Sequence, residues 1–172
     1  EVLLVDESAA ANALEETLSR AESQFRVETA ASASDALDCV MAEAGAAGAV
    51  VSFTGIARPS GKDGAPVETL HLDWYPGITE RSILTIAQAA ANRFDVTLCA
   101  AIHRCGAVAA GETIVFAAAA SKHRREAFLA ADMMMDRLKT EAVFWKREIG
   151  PDGASWIEPS ARDLEDAARW SE

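Results

Sequence analysis

The stretch Val143-Phe144-Trp145-Lys146-Arg147-Glu148-Ile149, followed by Pro151-Asp152-Gly153 and then Trp156-Ile157, reads as strand, turn and renewed strand. Aromatic and branched side chains suit a pleated, half-buried surface, and Pro-Asp-Gly carries turn chemistry. Immediately upstream, Ser121 can cap a helix that starts near His123 and runs to about Lys139, with Ala127, Ala131, Met134 and Leu138 at helical spacing. Met133 to Met135 cannot all face one way and read as gap-filling core and edge residues.

Further back, Gly106 and Gly111 bracket a turn before Thr113-Ile114-Val115-Phe116, a β-branched run that reads as a strand despite the alanines behind it. Val96, Leu98, Ala100 and Ile102 alternate as a half-buried strand, and Ile83, Ala87, Ala90 and Phe94 form the stripe of an amphipathic helix. Thr79 is its expected N-cap, after a Pro76-Gly77 turn. Leu70, Leu72 and Trp74 alternate with His71 and Asp73 as another half-buried strand. The segment from Pro59 to Pro66, with two prolines and two glycines in eight residues, has the composition of a mobile surface loop. Ala49-Val50-Val51-Ser52-Phe53-Thr54 reads as a buried strand ended by Gly55, and Ser34 is expected to cap a short helix that stops at Gly45. Strands and helices interleave without the strict βαβ rhythm of a doubly wound sheet, which predicts an α+β domain with a mixed or largely antiparallel sheet.

A chain of 172 residues, half of them apolar, can bury one good core and is too short for two ordinary domains. No run approaches the roughly 18 to 20 apolar residues of a membrane span, and the opening Glu1-Val2-Leu3-Leu4-Val5-Asp6 lacks a signal peptide's basic flank, so the chain reads as cytoplasmic, with no membrane partner. Cys39, Cys99 and Cys105 form no C-x-x-C pair and read as reduced core thiols. His71, His103 and His123 have no ligand spacing, so neither a metal site nor a cofactor is expected. The net charge of −11 excludes a general nucleic-acid binder, which needs a surplus of Lys and Arg.

Positive charge is nevertheless clustered: Lys122, His123, Arg124 and Arg125 stand together, Lys146 and Arg147 are adjacent, and Arg58 and Lys139 lie near Gly- or aromatic-rich segments. Two readings are open, a pocket for a small anion or solvated helix-face charges. At a helix start, free N–H groups and the dipole already favour an anion, and extra cations there make sense if a phosphate or carboxylate neutralises them. Lys139 at a helix end has a sufficient structural reason. Lys146, projecting on the same strand face as Phe144 and Glu148, is either a general acid or base with a tuned pKa or an exposed sheet lysine.

Five linked blocks then point to a family. Gly48-Ala49-Val50-Val51-Ser52-Phe53-Thr54-Gly55 with Arg58, Tyr75-Pro76-Gly77-Ile78-Thr79-Glu80, Ile102-His103-Arg104-Cys105-Gly106, Ser121-Lys122-His123-Arg124, and Leu138-Lys139-Thr140 with Phe144-Trp145-Lys146-Arg147-Glu148 resemble, in order and spacing, the molybdopterin synthase large-subunit family. The resemblance covers roughly residues 25 to 160, leaving 1 to 24 as an N-terminal extension and 161 to 172 as a C-terminal tail. It implies an α/β hammerhead-type fold with an additional small antiparallel sheet, and a homodimer within a heterotetramer. The implied partner is a ubiquitin-like sulfur-carrier small subunit whose thiocarboxylated Gly-Gly C-terminus delivers sulfur twice to cyclic pyranopterin monophosphate. The nucleophile is then the carrier's sulfur, in keeping with a chain that has no convincing catalytic Ser or Cys constellation.

Carried over by position, the resemblance implies substrate anchoring by Arg58, His123 and Arg124, proton transfer and anion stabilisation by Lys139 and Lys146, and substrate contact through Arg147 and Glu148. The sequence departs from the family's pattern at Ile56-Ala57-Arg58-Pro59 and at Pro159-Ser160, where many relatives place an arginine; Arg162 stands two residues further on. The opening Val2-Leu3-Leu4-Val5-Asp6-Glu7, with Phe25-Arg26-Val27-Glu28-Thr29-Ala30, looks like the start of a response-regulator receiver domain, yet Val50-Val51-Ser52-Phe53-Thr54 offers no phosphoacceptor Asp. The rival readings are such a signalling module and a non-catalytic relative that binds the carrier without turnover. Loss of Lys139 or Lys146 would have marked the second, and both are present.

Overall fold

The alanines behind Phe116 do not end the strand they follow. In the structure, a computed structural model that describes residues 2–3, 27–28, 32–61 and 63–171, strand β7 runs from Thr113 to Ser121. It is the middle of a three-stranded antiparallel sheet, between β3 (Ala49–Ile56) and β5 (Leu98–His103). Small side chains allow helices to close on both faces of a strand. One face turns Val115, Ala117 and Ala119 toward α2 (Ile78–Arg93) and α3 (Arg124–Thr140), meeting Ile83, Ala87, Ala130 and Met134. The other turns Phe116 and Ala118 to Ala36 and Val40 of α1 (Ala33–Glu43). For the same reason β5 is buried on both faces rather than half-buried as its alternation suggested.

The second sheet has four antiparallel strands in the order β6-β4-β8-β9, with β4 Thr69–Trp74, β6 Gly106–Ala109, β8 Phe144–Gly150 and β9 Gly153–Ile157. Gly106 and Gly111 thus enclose a short strand, β6, as well as a turn. The β8–β9 connection is a tight hairpin in which Gly150 pairs with Gly153, and Gly153, at φ 124°, takes a backbone conformation closed to other residues. The sheets meet where Ala57, Leu72 and Val108 pack with Ile114 and Phe144, and Phe144 also touches the main core. The expected class, α+β with an added antiparallel sheet, is the one the chain adopts.

Local signals were shifted by a residue or two. Ser32, not Ser34, caps α1 by accepting from Asp35 N. Gly77 is the N-cap of α2; Thr79 lies within the first turn, fully buried, because its hydroxyl bonds elsewhere. His123 is the N-cap of α3 without a side-chain cap, and Ser121 ends β7, its Oγ accepting from His123 N and donating to Asp95 O at 2.7 Å. The loop from Pro59 to Pro66 is tied across its base, Gly61 N to Ala65 O at 2.9 Å and Val67 N to Pro59 O at 2.9 Å, with Lys62 outside the described residues. Most of the receiver-like opening also lies outside them; what is described there is β1 (Val2–Leu3) paired in parallel with β2 (Val27–Glu28).

Residues set apart in sequence as a C-terminal tail fold back on the domain. Helix α4 (Ala161–Ala168) opens with a capping box between Ser160 and Asp163. Beyond it, Trp170 enters the main core edge-on to Phe94 at 6.0 Å, its indole N–H donating to Asp136 Oδ2 at 2.7 Å. Arg93 and Arg137 both donate to its carbonyl oxygen, and Arg169 donates to Asp136 at 2.7 Å. Burial of an indole and its hydrogen bonds make this a stability determinant. Trp170→Ala is expected to cost about 3–5 kcal/mol, whereas Leu164→Ala on the exposed side of α4 stays within about 0.5 kcal/mol; urea unfolding of both variants checks the contrast.

Candidate active site

Lys146 sits in the middle of β8, with Leu72 and Ile157 as its cross-strand partners. Its strand is aimed by α2. Thr79 Oγ1 donates to Val143 O at 2.7 Å while Ser82 Oγ accepts from Val143 N at 3.1 Å, so the first turn of α2 grips both backbone groups of the residue before β8. Alternation then sends Phe144 and Lys146 toward the junction of the two sheets. Phe144 stacks on His103, the last residue of β5, with ring centroids 4.1 Å apart and planes at 26°.

Two other groups converge on Lys146. Lys139, in the last turn of α3, is held by Asp163, Nζ to Oδ1 3.0 Å. Asp163 is fixed in turn by Ser160, whose backbone N–H donates to its Oδ2 at 2.8 Å. Burial of Lys146 lowers its pKa below the ordinary lysine value, the charge of Lys139 lowers it further, and Asp163 opposes both. Asp163 itself is held well below the usual carboxylate range, chiefly by the Ser160 hydroxyl, with Lys139 adding to the effect. His103 is driven down to about 3 by burial, then by the charge of Lys146; its Nδ1 lies 2.9 Å from Arg104 O. An imidazole so placed is neutral at physiological pH, with Nδ1 carrying the proton to that carbonyl.

The remaining expected site residues are distributed around this centre unevenly. Arg58 is exposed just past the end of β3 that pairs with the start of β7, the end at which His103 also lies. His123 and Arg124 stand at the opposite end of α3 from Lys139; sixteen helical steps put them about 24 Å away. There they line an open cleft of about 730 Å³ with Gly48, Lys122, Arg125 and Phe128. Arg147 projects to the other face of β8, donating to Asp73 Oδ1 at 3.1 Å, 3.3 Å from His71 Nδ1 and 5.1 Å over the ring of Trp156. Glu148 faces the loop at Gly61 and lines a cleft with Asp63, Asp152 and Glu158. Arg162 points to solvent, 3.8 Å from Asp166, and leaves the vicinity of Lys139 to Asp163.

One chain therefore brings Lys139 and Lys146 together and does not bring them to His123 and Arg124. Sequence reasoning passed over His103 and Asp163. A histidine closing an otherwise apolar strand, and the spacing Ser160-x-x-Asp163 ahead of an amphipathic segment, were the available signals.

Fold and geometry define the class first: an α+β protein whose two antiparallel sheets meet at the half-buried Lys146, with the exposed Lys139 and its carboxylate counterion beside it and no serine or cysteine nucleophile among the groups just described. The model of the MoaE protein family matches residues 26–141, and the chain belongs to that family. It is 51% identical over 125 residues to the molybdopterin synthase catalytic subunit of Caulobacter vibrioides, covering 73% of this chain and 81% of that one. Its fold is similar to the molybdopterin biosynthesis MoaE protein from Burkholderia ambifaria, with a TM-score of 0.68 and 29% identity over 99% of this chain and 97% of the other. It is likewise similar to the molybdopterin synthase from Staphylococcus aureus, at 0.62 and 30% over 66% and 82%. Among the described residues no helix is long and apolar enough to cross a membrane.

The neutral His103 gives a test of the geometry that is independent of function. The native state keeps the imidazole unprotonated down to about pH 3, whereas the unfolded chain takes up a proton below about pH 6.5. Stability from this group is therefore lost as pH falls between those values, by about 1.4 kcal/mol per pH unit. Urea unfolding at pH 6.5 and 5 should show a drop in wild type that His103→Phe, which keeps a ring against Phe144, reduces by about 2 kcal/mol.

Proposed function

We propose that the chain is the catalytic large subunit of a molybdopterin synthase, a sulfurtransferase of the cytoplasm that works with a ubiquitin-like sulfur-carrier small subunit. The carrier's C-terminal thiocarboxylate supplies the sulfur and cyclic pyranopterin monophosphate accepts it, twice, to form the dithiolene of molybdopterin. The observation that carries this reading is the lysine pair: two amines held together at the junction of the sheets, one pinned by a carboxylate and one with a lowered pKa, in a chain whose family is that of the synthase.

The chemistry follows from that asymmetry. A thiocarboxylate is an anion already competent as a nucleophile, so the protein has to place it, neutralise charge that builds up as its sulfur bonds to the pterin side chain, and move protons. Lys139, fixed by Asp163, is suited to standing as the constant positive charge. Lys146, whose charged form burial disfavours, is suited to giving and taking the proton. Arg58 lies at the same end of the sheet and is suited to the substrate's phosphate.

His123 and Arg124 reach the same substrate when a second copy of the chain supplies them. Strand β3 is a free edge of its sheet among the described strands, eight residues without a charge, with Ser52, Phe53 and Thr54 exposed. Antiparallel pairing of two such edges about a two-fold axis sets the Arg58 end of one copy against the Gly48 end of the other, where Gly48 N bonds Ser121 O next to His123. Arg147 then serves the site from behind, by bracing β8 against Asp73 and Trp156, while Glu148, on the same strand face as Lys146, turns to the loop at Gly61.

The test is product formation from purified chain, thiocarboxylated carrier and cyclic pyranopterin monophosphate. Lys139→Ala and Lys146→Ala should each lower the rate by about a hundredfold or more without abolishing carrier binding. Mixing subunits of Lys146→Ala with subunits of Arg124→Ala should restore part of the activity, because one of the two sites in the hybrid is intact. A folded wild type that binds the carrier and forms no product would establish the non-catalytic reading instead.

A further inference from the structure

We propose that Asp163 is a positioning residue of the reaction: its carboxylate, fixed by the capping box of α4, clamps the ammonium of Lys139 and so sets where that charge stands beside Lys146. The proposal rests on the synthase reading above and adds a residue to it.

The carboxylate divides its two oxygens between two tasks. Oδ2 accepts from the backbone N–H and the hydroxyl of Ser160, which closes the first turn of α4. Oδ1 is left for Lys139 Nζ at 3.0 Å. An ordinary exposed ion pair is weak because both long side chains must be ordered to form it. Here one partner is ordered beforehand, and the helix bearing it is held at both ends, by the Ser160 cap and by Trp170 in the core. Lys139 is the mobile partner, with 55% of its side chain exposed against 22% for Asp163. Without the clamp its amine is free to leave the junction for solvent.

The placement matters because the groups facing Lys146 are few. They are Lys139 from α3, Asp163 from α4 and His103 from β5, the last kept neutral by burial, while the cross-strand neighbours Leu72 and Ile157 carry no charge and Glu148, two residues on along the same strand face, turns its carboxylate to the loop at Gly61. Asp163 works on Lys146 against burial and against Lys139. Neutralising it removes that opposing influence but, by releasing Lys139, also removes the larger lowering influence of its ammonium, so the Lys146 titration moves toward higher pH.

The experiment is a pH titration of the full chain labelled with ¹³C at lysine Cε, with Lys146→Arg and Lys139→Arg to assign the resonances. Asp163→Asn should move the Lys146 titration to higher pH as Lys139 leaves the junction, while Asp163→Glu, which keeps both the charge and a capping-box residue, should return it close to wild type. In the synthase assay Asp163→Asn should lower kcat about tenfold with KM for the carrier unchanged, and the limb of the pH profile that Lys146 sets should move to higher pH in step. A Lys146 titration in Asp163→Asn that is unmoved or moves to lower pH, with circular dichroism showing α4 intact, means that Lys139 stays in place without the carboxylate and overturns the clamp. A titration shifted to higher pH in Asp163→Asn, together with a wild type that makes no product, supports the clamp and overturns the synthase reading, so the two failures are distinguishable.

Discussion

The close approach of helices to both faces of β7 governs where chemistry can occur in this protein. Ala117 to Ala120 are fully buried, and a run of methyl groups lets α1 pack on one side while α2 and α3 pack on the other. An interior built so tightly has no place along the strand for a polar group that lacks a partner. Polar function is therefore driven to the strand's two ends. At one end lie His103, Arg58 and the junction with the second sheet; at the other, Ser121 hands the chain to His123 and Arg124. The length of α3, which bridges the ends, makes the two clusters distinct within one chain, and that separation is the physical reason for invoking a second copy.

The second sheet converts this arrangement into a site. Its strand β8 alternates between two environments, and the alternation sorts neighbouring cations into different work. Lys146 faces the junction, where burial makes its proton labile; Arg147, one residue on, faces outward to Asp73, His71 and Trp156 and stiffens the sheet. A one-residue slip would exchange them and place in solvent the amine that the proposed reaction uses. The grip of Thr79 and Ser82 on Val143 guards against that slip at the residue before the strand.

Much of this was legible in the sequence. The apolar periodicities gave the strands and helices around β7 because their cause is burial, which acts on every turn of an element. Boundaries were harder: Ser34, Thr79 and Ser121 all have cap chemistry, but Ser32, Gly77 and His123 occupy the N-cap positions. A hydroxyl binds whichever unpaired backbone group the tertiary fold brings to it, and Thr79 is taken by Val143, sixty-four residues away. The lysine pair was readable through the family resemblance alone, since Lys139 at a helix end has a sufficient structural reason on its own. The cap role of Asp163 was signalled by Ser160-x-x-Asp163, but its pairing with Lys139 was not readable because that partner lies on another helix, and the separation of His123 from Lys139 follows from the one helix that lies between them.

The order of influences on Lys146 bears on why a chain of net charge −11 carries paired cations at its centre. Burial is the largest cause of the lowered pKa, and the neighbouring ammonium comes second. A site relying on like-charge repulsion alone would be screened by salt and would change as soon as Lys139 moved. One relying on burial alone would have no fixed cation with which to meet an anionic substrate. Combining the two, with Asp163 as counterweight, separates the tasks: the fold sets the proton affinity of Lys146, and the Asp163 clamp sets the position of Lys139. On a chain of acidic net charge, the junction and the His123 cleft gather cations locally, an arrangement suited to a small anion rather than an extended polyanion.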